Sequence, residues 1–241
     1  MSIHASIYEN AQEAAVHCAA KILELLDGAL KESPRATLAI SGGSTPKLMF
    51  EELARAGFDW ARVHLFWVDE RGVPPTDPQS NYKLAKEAWL DAAHFPGGNV
   101  HRIQAEKEPE LAARLYATEI REFFRLGPGE LPGFDVIHQG MGPDAHTASL
   151  FPGQPLIEDQ KDLVAALYVE KFQQWRITLL PGVLRAAKQT VMLVAGQDKA
   201  EPLRLVLHEP YNPRKYPVQI VNVDGRDVLW FLDRAAARGM E

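Results

Sequence analysis

Short runs of consecutive apolar residues alternate along this chain with longer amphipathic stretches, and that alternation constrains the fold more than any other feature. Runs that are apolar at every position, rather than at every second one, suit strands covered on both faces, as in a parallel sheet between helices. Strands are expected over 37–40, 63–68, 134–137, 163–168, 191–195 and 228–232. Helices are expected over 9–31, 46–55, 81–90, 110–124, 145–150, 181–187 and 200–207. The expected fold class is therefore α/β, an open, mostly parallel sheet with helices on both faces. Pro and Gly gather at 72–78, 127–133 and 210–217 without forming a long linker, so residues 1–241 are read as a single domain.

Asp and Glu outnumber Lys and Arg by 32 to 26, a net charge of −6. That balance works against a nucleic-acid or anionic-membrane surface, so neither partner is expected, and any anionic ligand has to meet a local basic pocket. The single cysteine, Cys18, rules out an internal disulfide and any zinc cluster built on thiolates, and reads as a small buried apolar residue. Residues 1–10 lack a basic stretch followed by an apolar run, and no run of about 18 apolar residues occurs, so a cytoplasmic location with no membrane span is expected.

Three loops carry the chemistry. After the first predicted strand comes Ser41-Gly42-Gly43-Ser44-Thr45-Pro46-Lys47, with Thr45 expected as an N-cap and Pro46 at the first helical position. Close backbone approach at Gly42 and Gly43, the free N–H groups of a helix start, and the Ser44 and Thr45 hydroxyls suit a phosphate, although a plain strand-to-helix turn has the same pattern. It is not a Walker loop. The second strand runs into Asp69-Glu70-Arg71-Gly72-Val73-Pro74, at the carboxyl edge where such sheets bind ligands. There Arg71 can fork onto a phosphate and Asp69 can orient a donor or hold a hydroxyl, while a solvated surface ion pair is the ordinary alternative. Ser80-Asn81-Tyr82 reads as a helix start facing the same rim.

The third loop is Gly140-Met141-Gly142-Pro143-Asp144-Ala145-His146-Thr147-Ala148-Ser149-Leu150-Phe151-Pro152. His146 is the candidate general base, because imidazole titrates near neutrality, and Asp144 is placed to fix its tautomer or line the pocket. The other seven histidines are read as structural. The segment also fits a relaxed dinucleotide fingerprint, but Pro143 removes an N–H and Asp144 brings negative charge where a pyrophosphate would lie, so nicotinamide binding is not expected. Lys171, Arg176 and Lys199 complete the candidate phosphate-binding cations. A lysine at a helix start opposes the dipole, and a bound anion offsets that.

In this order, over nearly the whole chain, these segments resemble the 6-phosphogluconolactonases, relatives of the glucosamine-6-phosphate deaminases. Arg176-Ile177-Thr178-Leu179, Gly196-Gln197-Asp198-Lys199-Ala200 and Trp230-Phe231-Leu232-Asp233-Arg234-Ala235-Ala236 fit the same pattern. The resemblance implies a three-layer sheet like that of the ribose-phosphate isomerase and CoA-transferase superfamily. It also implies hydrolysis of 6-phosphogluconolactone in the pentose phosphate pathway, no metal or organic cofactor, and a small-molecule sugar phosphate as partner, with a monomer or homodimer expected. Amino-sugar-phosphate isomerisation or deamination is the rival activity, disfavoured because no carboxylate occurs between His146 and Glu158. A non-catalytic sugar-phosphate sensor is the rival outside enzymology. Three departures stand out: Ala145 in place of a usual glycine, His138-Gln139 in place of an apolar pair, and Phe172-Gln173-Gln174 in place of a proline-rich stretch. If position 145 needs positive φ, the Ala145 methyl adds strain.

Overall fold

Seven parallel strands lie side by side in the order β1 (His4–Tyr8), β10 (Val228–Asp233), β9 (Gln189–Val194), β6 (Val136–Gln139), β2 (Ala36–Ile40), β3 (Val63–Trp67) and β5 (Val100–His101). A second, antiparallel sheet has the order β4 (Asp69–Arg71), β8 (Gln174–Leu179), β7 (Val164–Val169). This computed structural model describes residues 3–222 and 228–240. The central strands are buried at almost every position, all five residues of β2 and all four of β6, as their unbroken apolar runs require.

Helices flank the large sheet. α1 (Ala11–Glu32) and α2 (Ser44–Arg55) pack on each other, and α1 also lies on β2, β9 and β10. α4 (Pro109–Phe124) turns Phe123 and Phe124 onto Phe66, and Phe124 also meets Phe134. Its Tyr116 hydroxyl donates to the Trp67 carbonyl at 2.9 Å, fixing the end of β3. α3 (Asn81–Ala85), α5 (Pro181–Ala186), α6 (Ala200–His208) and α7 (Arg234–Ala237) complete the α/β alternation. Cys18 is buried in α1 against Met49, and burial pushes its thiol pKa up, so it is an inert core residue. No described helix is long and apolar enough to cross a membrane.

Three expectations need correction. Residues 163–168 do form a strand, β7, but in the antiparallel sheet, and its first three positions are only half-buried. No helix covers 145–150: Ala145 and Ala148 sit at φ 60 and 52, and tight turns take the backbone bonds, with Gly142 N–H donating to the His146 carbonyl at 2.8 Å. Left-handed residues break a right-handed helix. Thr45 does not cap α2. Gly43, at φ 127, holds the cap position, and Ser44, Thr45 and Pro46 are the first three helical residues.

Because the large sheet is parallel, the ends of β2, β3, β6 and β9 release their loops at one edge. That edge gathers the three loops singled out above and the Gly196 turn.

Candidate active site

The loops enclose a cleft of about 420 Å³. The α2 start forms one wall with Gly42, Gly43, Ser44 and Thr45, and its first turn carries no side-chain cap, so its N–H groups are open to a ligand.

β4 and β8 place Arg71 directly opposite Arg176, and both line the cleft. Like charges at opposed positions on neighbouring strands repel. Arg71 donates to the Gln79 carbonyl at 2.5 Å, yet the Nε of both arginines is buried without a hydrogen-bond partner. Burial lowers the Arg176 pKa, Asp69 raises it and Arg71 lowers it again. Two guanidiniums lining one cleft can together grip a dianion. Lys199 also lines the cleft, its side chain 2.7 Å from Asp198, at the start of α6. Asp233 sets that turn by accepting from Gly196 N–H at 3.0 Å and from Ala236 N–H at 2.8 Å. The tail motif thus acts as a brace under Lys199.

The acidic pair after β3 is no solvated ion pair. Asp69 and Glu70 are both buried. Glu70 accepts from the Arg71, Asn81 and Tyr82 N–H groups and from Ser80 Oγ, which fixes the α3 start; burial raises its pKa in spite of those bonds. Asp69 lines the cleft, accepting from Ser149 Oγ at 2.6 Å, while Asn81 Nδ2 donates to its main-chain carbonyl at 2.9 Å. Ser149, which sequence reasoning missed, ties the histidine loop to β4.

His146 faces the cleft with 23% of its side chain exposed. Its Nδ1 lies 2.5 Å from Asp144 Oδ1, so Asp144 orients the ring and leaves Nε2 as the nitrogen for a reacting group. Burial opposes ionisation of Asp144, but hydrogen bonds and charge from His146 and Lys171 outweigh it and hold the carboxyl well below its usual range. Lys171, expected among the phosphate ligands, instead puts its ammonium 3.2 Å from Asp144 Oδ2 and is not among the described residues lining the cleft. Its ammonium is paired with that carboxylate and with the face of Phe172.

Gln139 explains itself: its Oε1 accepts from Thr147 Oγ1 at 2.9 Å, anchoring the same loop. His138, its neighbour, is fully buried with neither ring nitrogen partnered. Ala145 does adopt positive φ, so its methyl strains the turn beside His146. Gly142 is demanded by contact, since a Cβ there would overlap the His146 ring. Gly142→Ala is expected to swing the imidazole off Asp144 and cut turnover at least tenfold, the loss a misplaced reacting group brings; unchanged kcat would show that the ring has room to spare. Among the described residues no three or more His, Cys, Asp and Glu side chains gather to hold a metal.

Residues 9–230 match the profile of the family described as glucosamine-6-phosphate isomerases/6-phosphogluconolactonase. The chain is 38% identical over 216 residues to 6-phosphogluconolactonase of Nostoc sp., covering 89% of each. It is 36% identical over 205 residues to that of Haemophilus influenzae, covering 83% of this chain and 86% of the relative. The crystal structure of 6-phosphogluconolactonase from Thermotoga maritima superposes with a TM-score of 0.84 at 27% identity, over 97% of this chain and 100% of that one.

Proposed function

The chain belongs to the glucosamine-6-phosphate isomerase/6-phosphogluconolactonase family, and from that premise we propose that it hydrolyses 6-phospho-D-glucono-1,5-lactone to 6-phospho-D-gluconate by general-base catalysis at His146. The reaction is a carboxylic ester hydrolysis in the oxidative branch of the pentose phosphate pathway. The observation that carries the residue assignment is the pair of facing guanidiniums in the same cleft as an imidazole backed by a carboxylate.

The 6-phosphate is bound by the open α2 start with the Ser44 and Thr45 hydroxyls, by Arg71 and Arg176, and by Lys199. That remote grip holds the lactone carbonyl beside His146. His146 Nε2 takes a proton from water as the oxygen adds to C1. The carbonyl becomes an oxyanion steadied by loop N–H groups, and the imidazolium returns the proton to the ring oxygen as the C1–O bond breaks. Asp144 holds the tautomer and balances the imidazolium, with Lys171 tempering its charge. Asp69, anchored by Ser149, keeps an oxygen toward the cleft for a sugar hydroxyl. A lactone is reactive enough for such a base to suffice, a gain of about 10²- to 10⁴-fold.

The test is to generate the lactone enzymatically and follow its loss against the spontaneous background. The wild-type chain is expected to accelerate the loss with saturation. Arg176→Ala and Lys199→Ala are expected to raise KM by about tenfold or more each, since a charge-assisted bond to an anion contributes ~1.5–3 kcal/mol. Loss no faster than the background refutes the activity; an unchanged KM in both variants removes them from the phosphate site.

A further inference from the structure

The turn Glu170–Phe172 at the tip of the β7–β8 hairpin ends at Gln173, whose φ is 47. Phe172 stands there 45% exposed. Scattered exposed apolar residues are ordinary, but of the large ones exposed among the described residues, Phe172 is the one that also lines the cleft. Its ring centroid is 5.4 Å from the Arg176 guanidinium carbon. It is also 5.4 Å from the Lys171 ammonium and 5.7 Å from the Phe151 ring, which is itself 4.4 Å from the His146 imidazole. A ligand that runs from the cations to the base therefore passes beside this ring. The stretch that passes it is the body of the sugar, whose apolar part is the C–H face of the closed ring.

We propose that Phe172 determines specificity, as a platform on which the face of a closed six-membered sugar ring stacks between Arg176 and His146. The inference rests on the sugar-phosphate reading above and extends it. Stacking removes aromatic and C–H surface from water together. An open-chain acid offers no flat face, so the contact is lost when the lactone ring opens, and product leaves without having to break it.

The test uses Phe172→Ala and Phe172→Tyr in the full chain. Three binding probes are titrated: glucose 6-phosphate as a closed ring that is not a lactone, 6-phosphogluconate as the open chain, and inorganic phosphate. Phe172→Ala is expected to weaken glucose 6-phosphate and raise the lactone KM roughly three- to tenfold, the worth of half-burying a phenyl ring. The other two probes and kcat are expected to hold, as for loss of uniform binding. Phe172→Tyr is expected to restore ring binding. Equal weakening of inorganic phosphate would show that Phe172 acts only through Arg176, and an unchanged or undetectable affinity for the closed ring would equally overturn the proposal. If the wild-type chain fails to turn over lactone, the hydrolytic reading falls while the binding comparison still decides the platform.

Discussion

Acidification below pH 6.5 is expected to destabilise the fold steeply, and His138→Leu is expected to remove much of that sensitivity while raising stability at neutral pH. His138 is fully buried in β6 with both ring nitrogens unpartnered, and burial pushes its pKa from 6.5 down to about 3. The folded chain thus refuses a proton that the unfolded chain accepts below pH 6.5. The stabilisation from keeping this ring neutral is complete above pH 6.5 and is lost as pH falls toward 3, at up to about 1.4 kcal/mol per pH unit. His64 adds to the slope in the same direction: burial, then His101 and Arg35, pull its pKa down to about 4. Leucine fills a similar volume and leaves no buried polar atom unsatisfied, which is worth about 1–3 kcal/mol. Urea denaturation at several pH values reads both effects; an unaltered acid slope in His138→Leu would show that the ring is hydrated in the folded state.

His146→Ala is expected to lower kcat by about 10²- to 10⁴-fold, the contribution of a positioned general base. Asp144→Asn is expected to follow it, because the amide presents the wrong partner to Nδ1 and no longer balances the imidazolium. The Asp144 carboxyl sits well below its usual pKa through its bonds to His146 and Lys171, so it stays ionised across the range in which an imidazole works. Lys171→Ala, which leaves the Asp144–His146 bond in place, is expected to act far more weakly. Kinetics of the three variants order the roles: a Lys171→Ala defect as deep as that of Asp144→Asn would make the lysine part of the proton-transfer unit.

Much of this was legible in the chain. Runs such as 191–195 announce buried parallel strands, and parallel strands deliver their loops to one edge, so His146, Asp69, Arg71 and Lys199 meet there by topology. What the sequence concealed was local. The motif Ser80-Asn81-Tyr82 shows a helix start but not that Glu70 is the buried acceptor that fixes it. A Gly-rich segment ending in small residues reads as helical, whereas positive φ at Ala145 and Ala148 turns it into consecutive tight turns. β1, β4, β5 and β8 escaped notice because short edge strands and half-exposed hairpins lack continuous apolar runs. The diversion of Lys171 to Asp144 is a contact between residues 27 apart in sequence, for which spacing gives no sign.

Turnover and ligand binding measured on the same preparation of His146→Ala test the central claim most directly. If His146 is the base and the cations of the same cleft hold the phosphate, the variant binds 6-phosphogluconate as tightly as the wild type while hydrolysing the lactone hardly faster than water does. Near-normal hydrolysis by this variant, or affinity lost in step with activity, would contradict that division of labour.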